Sequence, residues 1–434
     1  MSAGAGLFLA GARSRLLPAS IPFRYFGAAV AFHLLAWGAL AAGWRELPRF
    51  GGGLGWPLAA LHLVTLGVLV MSAIGASLQL LPVATRQPVR WLRAPVLVWW
   101  LYTPGVVAVA LGMGLAWPRL LAVGAGAVLL ALAIFAVVLA DNLRGARGMP
   151  VVVAHGWAAL ACLVGVGLTA ATLAAGWLGH ALLDRSAALA LHLVFAVFGF
   201  MGLLSFGLSY ILVPMFALAP APAPRPSLVS AVLAMAAIAL AAAAGVGAAQ
   251  PLRLAALAIG AIAVALHLRL MHGALRSGMR RSLGLSFTMI RLAWAMLVAS
   301  LALALAIVLA APVDGLPALF ALFVLGGWLL SFLFGMLQRI LPFLASMHLA
   351  RGQRRAPTAS ALSSPRPLAW HFRCHVAALA GLALAMLVDS RGLALAAACV
   401  GTAGAVAFGL FWRELRRRMR GGTAPEGPGT DPSL

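Results

Sequence analysis

The chain has 434 residues, of which 64% are hydrophobic and 9% charged. A soluble domain needs polar groups over its surface, so this composition excludes a soluble protein. It predicts an integral membrane protein in contact with the lipid bilayer. The 31 basic residues are all arginine and give a formal net charge of +23. They are scattered between apolar stretches instead of lining a polar domain, so nucleic acid is not an expected partner.

Twelve apolar stretches divide the chain, each near the roughly twenty residues that a helix needs to cross about 30 Å of hydrocarbon. They fall at 24–43, 54–82, 94–113, 118–140, 150–174, 187–216, 227–247, 251–270, 284–311, 316–344, 368–389 and 393–412, here called spans 1 to 12. Backbone polar groups inside lipid must be satisfied within the segment, and strand-like alternation is absent. The predicted fold class is therefore all-α integral membrane, with twelve transmembrane helices.

The arginines predict the orientation of the spans. Placing the N-terminus and every even-to-odd connection in the cytoplasm leaves all but six of the 31 arginines inside. This asymmetry follows the positive-inside rule and predicts a bacterial inner-membrane protein with both termini cytoplasmic. The six outside are Arg45, Arg49, Arg119, Arg185, Arg253 and Arg391. A single transmembrane domain is expected over 1–412, and a basic, disordered cytoplasmic tail over 413–434.

Spans 2, 6 and 10 end alike, with glycine followed seven residues later by proline. The three copies are Gly75 to Pro82, Gly207 to Pro214 and Gly335 to Pro342. They recur about every 130 residues, or every four helices, and always at the predicted cytoplasmic end of an even-numbered span. The spacing predicts a four-helix repeat over about 20–145, 146–280 and 281–412. The alternative is that Gly and Pro are simply frequent in membrane helices.

Two histidines lie near the outer starts of repeat-bearing spans. His62 precedes Gly75 by thirteen residues and His192 precedes Gly207 by fifteen, which places both at a similar membrane depth. Ionisable groups inside a membrane are costly and are candidates for function. Neutral imidazole commonly ligates iron and copper, so the pair is predicted to bind haem or metal. The alternative for either histidine alone is an interhelical hydrogen bond.

Spans 11 and 1 also contain histidines whose positions are informative. His371 and His375 are four residues apart at the inner start of span 11 and share one helical face, an arrangement that can chelate metal. The alternative for this pair is interfacial capping near Arg373. His33, near the middle of span 1, has no acidic partner in its span and is predicted to be packed and hydrogen-bonded. The few carboxylates lie at or beyond span ends, which disfavours a proton-coupled antiporter or a cation pump.

The chain resembles the haem–copper oxidase subunit I superfamily, particularly its divergent members of about this length. The residues that carry the resemblance are His62 running to Gly75 and Pro82, His192 running to Gly207 and Pro214, and Gly335 to Phe343. The resemblance implies a pseudo-threefold arrangement of three four-helix arcs, with metal ligands on the second, sixth and tenth helices. It implies that His62 binds low-spin haem and His192 copper, with Arg391 beside the haem propionates.

The chain also departs from that family. The tenth-helix His-x-His has no counterpart within 316–344, the seventh-helix histidine pair is absent from 227–247, and Tyr210 lies far down span 6. The expected function is therefore a haem-binding protein, with b-type haem and copper as cofactors, that lacks a complete binuclear centre. It would act in electron transfer or in O2 or NO binding, with a redox partner or a gas ligand. Whether it is an oxidoreductase is left open.

Two alternatives stand beside this interpretation. The NnrS family of haem- and copper-containing membrane proteins has a similar size and helix count, but its His-x-His-Glu signature is absent here. A metal-free membrane transporter or assembly factor on the same scaffold is the alternative from another functional class.

Overall fold

Long apolar helices make up most of the described part of the chain. The structure, a computed structural model, describes residues 16–247, 249–280, 282–350 and 357–421. Within these residues no strand is present, and twelve helices are long and apolar enough to span a bilayer. They are α1 (Ser20–Ala42), α2 (Trp56–Ala84), α3 (Ala94–Gly114), α4 (Pro118–Arg144), α5 (Pro150–Trp177), α6 (Arg185–Ala217), α7 (Pro224–Gly247), α8 (Gln250–Ser277), α9 (Gly284–Val308), α10 (Leu316–Leu349), α11 (Pro365–Leu387) and α12 (Arg391–Arg420). The predicted fold class is confirmed.

Local chemistry sets where these helices begin. Proline stands in the first turn of several of them, where its missing N–H would have had no helical partner. α6 is capped instead by Asp184, whose carboxylate accepts hydrogen bonds from the Ser186 side chain and from backbone N–H groups. These hydrogen bonds, the one from the Ser186 hydroxyl foremost, lower the pKa of Asp184. The cap is therefore fully formed at neutral pH and is lost only as the pH falls through that lowered value.

The last helix is longer than the sequence predicted. α12 continues to Arg420, so residues 413–420, expected to belong to a disordered tail, are helical instead. Leu415 and Met419 are buried on one face of this extension, and the Arg418 guanidinium donates to the carbonyl groups of Ala361 and Ser363. Packing therefore keeps residues 413–420 helical, although their high charge makes them too polar to be recognised by hydropathy. The rest of the predicted tail, 422–434, lies outside the described residues.

The three repeat-bearing helices share an irregularity that hydropathy does not reveal. Each contains a π-helical segment in its predicted outer half: Leu63–Val70 in α2, Val194–Gly202 in α6 and Leu322–Leu330 in α10. The segment of α10 contacts those of both α2 and α6, so it lies beside both of them in the bundle. π-Helical turns inside α-helices are rare and frequently lie at functional sites.

Two glycines, eight residues apart, recur in each of these helices. All six pack against the first helix of their own four-helix set, where an added Cβ would lie only 2.7–2.8 Å from a neighbouring side-chain atom. The pairs are Gly67 on Phe32 and Gly75 on Tyr25, Gly199 on Cys162 and Gly207 on His155, and Gly327 on Met296 and Gly335 on Ile290. Helices can approach this closely only where glycine stands. The boundaries of the three repeats stay a prediction.

Candidate cofactor site and the buried histidines

His62 and His192 occupy nearly matching positions on α2 and α6. His62 lies directly before the π-helical segment of α2, and His192 lies two residues before that of α6. Both side chains are partly buried. The structure therefore places the two residues that the sequence singled out at the start of corresponding π-helical segments.

Hydrogen bonds fix the tautomer of both rings. The Nδ1 atom of His62 lies 3.1 Å from the Leu58 carbonyl oxygen, which can only accept, so Nδ1 carries the proton. The Nδ1 atom of His192 lies 3.2 Å from the Thr169 hydroxyl oxygen. That hydroxyl already donates to the Gly165 carbonyl at 2.7 Å, so it accepts from His192. In both rings the lone pair is therefore on Nε2, which is the form of imidazole that ligates a metal.

Arg391 lies in a separate polar cavity at the predicted outer face. This cavity has a volume of about 390 Å³ and is formed by the α1–α2 connection and the start of α12. Its charged residues are Arg45, Glu46, Arg49, Asp389 and Arg391. Arg49 and Asp389 form an ion pair. His62 is not among the residues that line the cavity, so the structure does not join Arg391 to the two imidazoles.

An apolar crevice of about 130 Å³ lies next to this polar cavity, between α1, α2, α10 and α11. Phe50 lines both. Trp37 and Gly326 line the crevice as well, and none of its described lining residues is a histidine.

Three buried histidines lie close to the residues that line this crevice. The ring centroids of His33 and His371 are 5.9 Å apart, and those of His371 and His375 are 5.8 Å apart. Phe334 of α10 packs on the first two rings at 4.5 and 4.7 Å. His33 is packed and hydrogen-bonded as predicted, since the Trp37 indole N–H donates to its Nε2 at 3.0 Å. Its approach to the histidines of α11 was not predicted.

Hydrogen bonds hold the two outer rings of this histidine cluster, and none joins one ring to the next. The Ser331 hydroxyl donates to the Gly326 carbonyl at 3.1 Å, so it accepts from Nε2 of His375 at 2.8 Å. His33 then carries its proton on Nδ1, while Nδ1 of His375 is an acceptor. Neither of these atoms has a protein partner among the described residues, and neither nitrogen of His371 has one. If one nitrogen of His371 accepted from His33 and the other donated to His375, a hydrogen-bonded chain would run from Trp37 to Gly326. Trp37 and Gly326 both line the crevice.

Chelation by His371 and His375 stays a prediction. Their rings are nearly parallel, with an interplanar angle of 26°. Within the described part of the chain, no group of three or more His, Cys, Asp or Glu side chains is arranged to hold a metal ion.

The tautomers of this chain can be measured. In protein labelled with ¹⁵N-histidine and reconstituted in bilayers, we expect His33 to carry its proton on Nδ1 and His375 on Nε2, because Trp37 and Ser331 fix them. Solid-state NMR distinguishes the two forms by their nitrogen shifts, with His33→Asn and His375→Asn variants assigning the signals. Exposed His180 serves as a solvent-averaged reference. The opposite tautomer at either position would contradict the hydrogen-bond assignment.

A second buried cluster involves residues to which the sequence analysis assigned no role. The Tyr210 hydroxyl lies 3.2 Å from Nδ1 of His267, and the Phe206 ring stacks on His267 with centroids 3.8 Å apart. His155 lies against Tyr210 and donates from Nδ1 to the Val151 carbonyl at 2.8 Å. The signal that sequence reasoning missed is the phenylalanine directly before a repeat glycine. Phe206 and Phe334 both occupy that position, and both pack on buried histidines.

A second apolar cavity offers no ligand for iron. It has a volume of about 310 Å³, lies between α6, α7, α8, α9 and α10, and includes no histidine, cysteine or methionine among its lining residues. The described residues of α7 likewise contain no histidine.

Comparison with known proteins identifies the fold. No family model matches the sequence, and no curated protein matches it. Among solved structures, the chain is similar to a haem–copper terminal oxidase whose dimer was determined by cryo-electron microscopy, with a TM-score of 0.63 and 11% sequence identity. The alignment covers 96% of this chain and 86% of the other. This chain has a haem–copper oxidase-like fold. The pseudo-threefold arrangement of four-helix arcs that the sequence predicted belongs to this fold. An NnrS-like relationship is not shown by any of these comparisons.

Proposed function

We propose that this haem–copper oxidase-like protein binds haem, with His62 as the principal ligand and His192 as the second candidate. The observation that carries the proposal is that the two imidazoles stand at nearly matching positions of α2 and α6, each with its Nε2 lone pair left for a ligand. The donor set fits a b-type haem, and the same two nitrogens suit copper.

The residues around the pair hold the rings in place. The Leu58 carbonyl accepts a hydrogen bond from Nδ1 of His62, and the Thr169 hydroxyl accepts one from Nδ1 of His192. These bonds fix the orientation of each ring and keep its Nε2 deprotonated. The partly buried setting in the membrane favours neutral imidazole, the ligating form. Bound haem would supply one-electron transfer or a coordination position for a gas such as O2 or NO. Reduction of O2 is not proposed, because the described residues of α7 hold no histidine and the apolar cavity between α6 and α10 has no ligating side chain.

The setting of this function follows the sequence. We propose a bacterial inner-membrane protein with both termini in the cytoplasm, since that orientation leaves only six arginines outside. A single transmembrane domain built from three four-helix repeats, at about 20–145, 146–280 and 281–412, accounts for the recurring glycines and π-helical segments. A redox protein or a small gas would be its partner.

The optical spectrum of purified protein tests the proposal. After expression in a haem-replete host, we expect a Soret band that shifts on reduction and a pyridine haemochrome of the b type. His62→Ala should lose most of the haem, because a haem ligand is removed. His180→Ala is the matched control, since His180 is exposed in the α5–α6 connection, and it should keep the full content. A folded wild-type protein without haem or copper would overturn the proposal and favour a metal-free transporter or assembly factor.

A further inference from the structure

The apolar cavity between α6, α7 and α8 is a narrow tube along the helix axes. Residues four apart in α6 line one side of it: Ala190, Val194, Phe198, Gly202 and Phe206. One face of α8, from Arg253 to Val264, lines another. Those two positions are eleven helical steps apart, or about 16 Å at 1.5 Å per residue. A volume of about 310 Å³ drawn out along the helices suits an extended hydrocarbon chain.

The residues that line this tube from α7 are small and apolar, which favours a hydrocarbon occupant. α7 contributes Ala234, Ala237, Ile238, Ala241 and Gly245, so the walls are smooth and carry no side-chain hydrogen-bonding group at that side. Water gains two to four hydrogen bonds at a stable buried site, and these walls do not offer them. A long apolar void that stays empty costs stability, because the atoms around it lose packing contacts. An apolar chain from the surrounding bilayer relieves that cost.

One charged side chain stands at the mouth of the tube. Arg253, at the predicted outer end of α8, is exposed and is the only charged residue among those that line the cavity. It forms no ion pair with the described residues. A guanidinium at the membrane surface binds phosphate through charge-assisted hydrogen bonds. The cavity therefore joins an anion-binding group to a hydrocarbon-sized tube.

We propose that this cavity holds one acyl chain of an anionic phospholipid, whose phosphate is bound by Arg253. The lipid would fill the space between the second and third four-helix sets and hold α7 and α8 against α6. Neither His62 nor His192 lines the cavity, so the lipid site is tested independently of haem binding.

Retained lipid and a matched pair of variants test the site. Native mass spectrometry of delipidated wild-type protein should show one phospholipid per chain. Ala237→Phe places a ring in the tube and should remove that lipid, whereas Ala239→Phe, on an exposed position of the same helix, should leave it in place. Size-exclusion profile and helix content establish that both variants fold.

The headgroup is tested separately. Adding phosphatidylglycerol to the delipidated protein should raise its melting temperature more than phosphatidylcholine does, and Arg253→Gln should abolish that difference. Three results would overturn the proposal: no lipid on the wild-type protein, retention of the lipid in Ala237→Phe, or a neutral molecule such as an isoprenoid quinone in its place. Should Ala237→Phe fail to fold, the Arg253→Gln comparison decides.

Discussion

Replacing Gly335 with alanine is expected to lower the free energy of unfolding by up to about 2 kcal/mol, because overpacking costs about 1–3 kcal/mol and part of that cost is offset. An added Cβ would lie 2.7 Å from Cγ1 of Ile290 and 2.8 Å from the Ser286 carbonyl oxygen, and the latter belongs to the α9 backbone. Relief therefore requires α9 and α10 to move apart. Alanine favours helix by about 1 kcal/mol over glycine, so the observed loss is the contact cost minus that gain. Equilibrium unfolding in mixed detergent micelles measures it.

Gly126 in α4 provides the control, because nothing lies within 4 Å of the position that its Cβ would take. Gly126→Ala should leave stability unchanged or raise it by up to about 1 kcal/mol. If the repeat is structural, Gly75→Ala and Gly207→Ala should resemble Gly335→Ala, since they meet Tyr25 and His155 in the same way. A set of three variants as stable as Gly126→Ala would show that the close approach of these helices is not needed.

The glycine contacts also show what the sequence made predictable. The bilayer forces long apolar runs on any spanning helix, so hydropathy alone located all twelve. The predicted ends are within five residues except at the ends of α8 and α12, which continue seven and eight residues further. The recurring Gly75, Gly207 and Gly335 indicated the threefold arrangement. The π-helical segments around Gly67, Gly199 and Gly327 were missed, because an apolar run has the same hydropathy whether its turns are α or π.

The candidate site was predictable only where the repeat placed it. His62 and His192 were found because equivalent positions in a repeat lie at similar depth. Their tautomers depend on the Leu58 carbonyl and on Thr169, and the contact with Thr169 of α5 exists only after folding. His33 meets His371 because α12 packs against α1 as the bundle closes, which joins the two ends of the chain. No local pattern in the sequence carries that information.

His371→Leu is expected to stabilise the protein, by about 1–3 kcal/mol, the desolvation cost of a buried polar group that lacks a partner. His371 is fully buried, and no group of the described residues hydrogen-bonds either ring nitrogen, whereas leucine packs well against Phe334 and Phe408. His375→Leu is the matched comparison one turn away. It removes the hydrogen bond to Ser331, so its gain should be smaller or reversed.

The sign of the His371→Leu effect, from unfolding in mixed micelles, separates two roles for the three-histidine cluster. A stabilised variant means that the chain keeps these imidazoles at a cost to stability, which is the pattern of groups retained for function. A variant destabilised by more than His375→Leu means that His371 completes the chain from Trp37 to Gly326 through a bound water or ion. In that second case the loss should be accompanied by a change in the His33 nitrogen shifts, because the Nδ1 proton of His33 would lose its acceptor. The stability of His371→Leu and the tautomer of His33 together therefore distinguish the two roles of this histidine cluster.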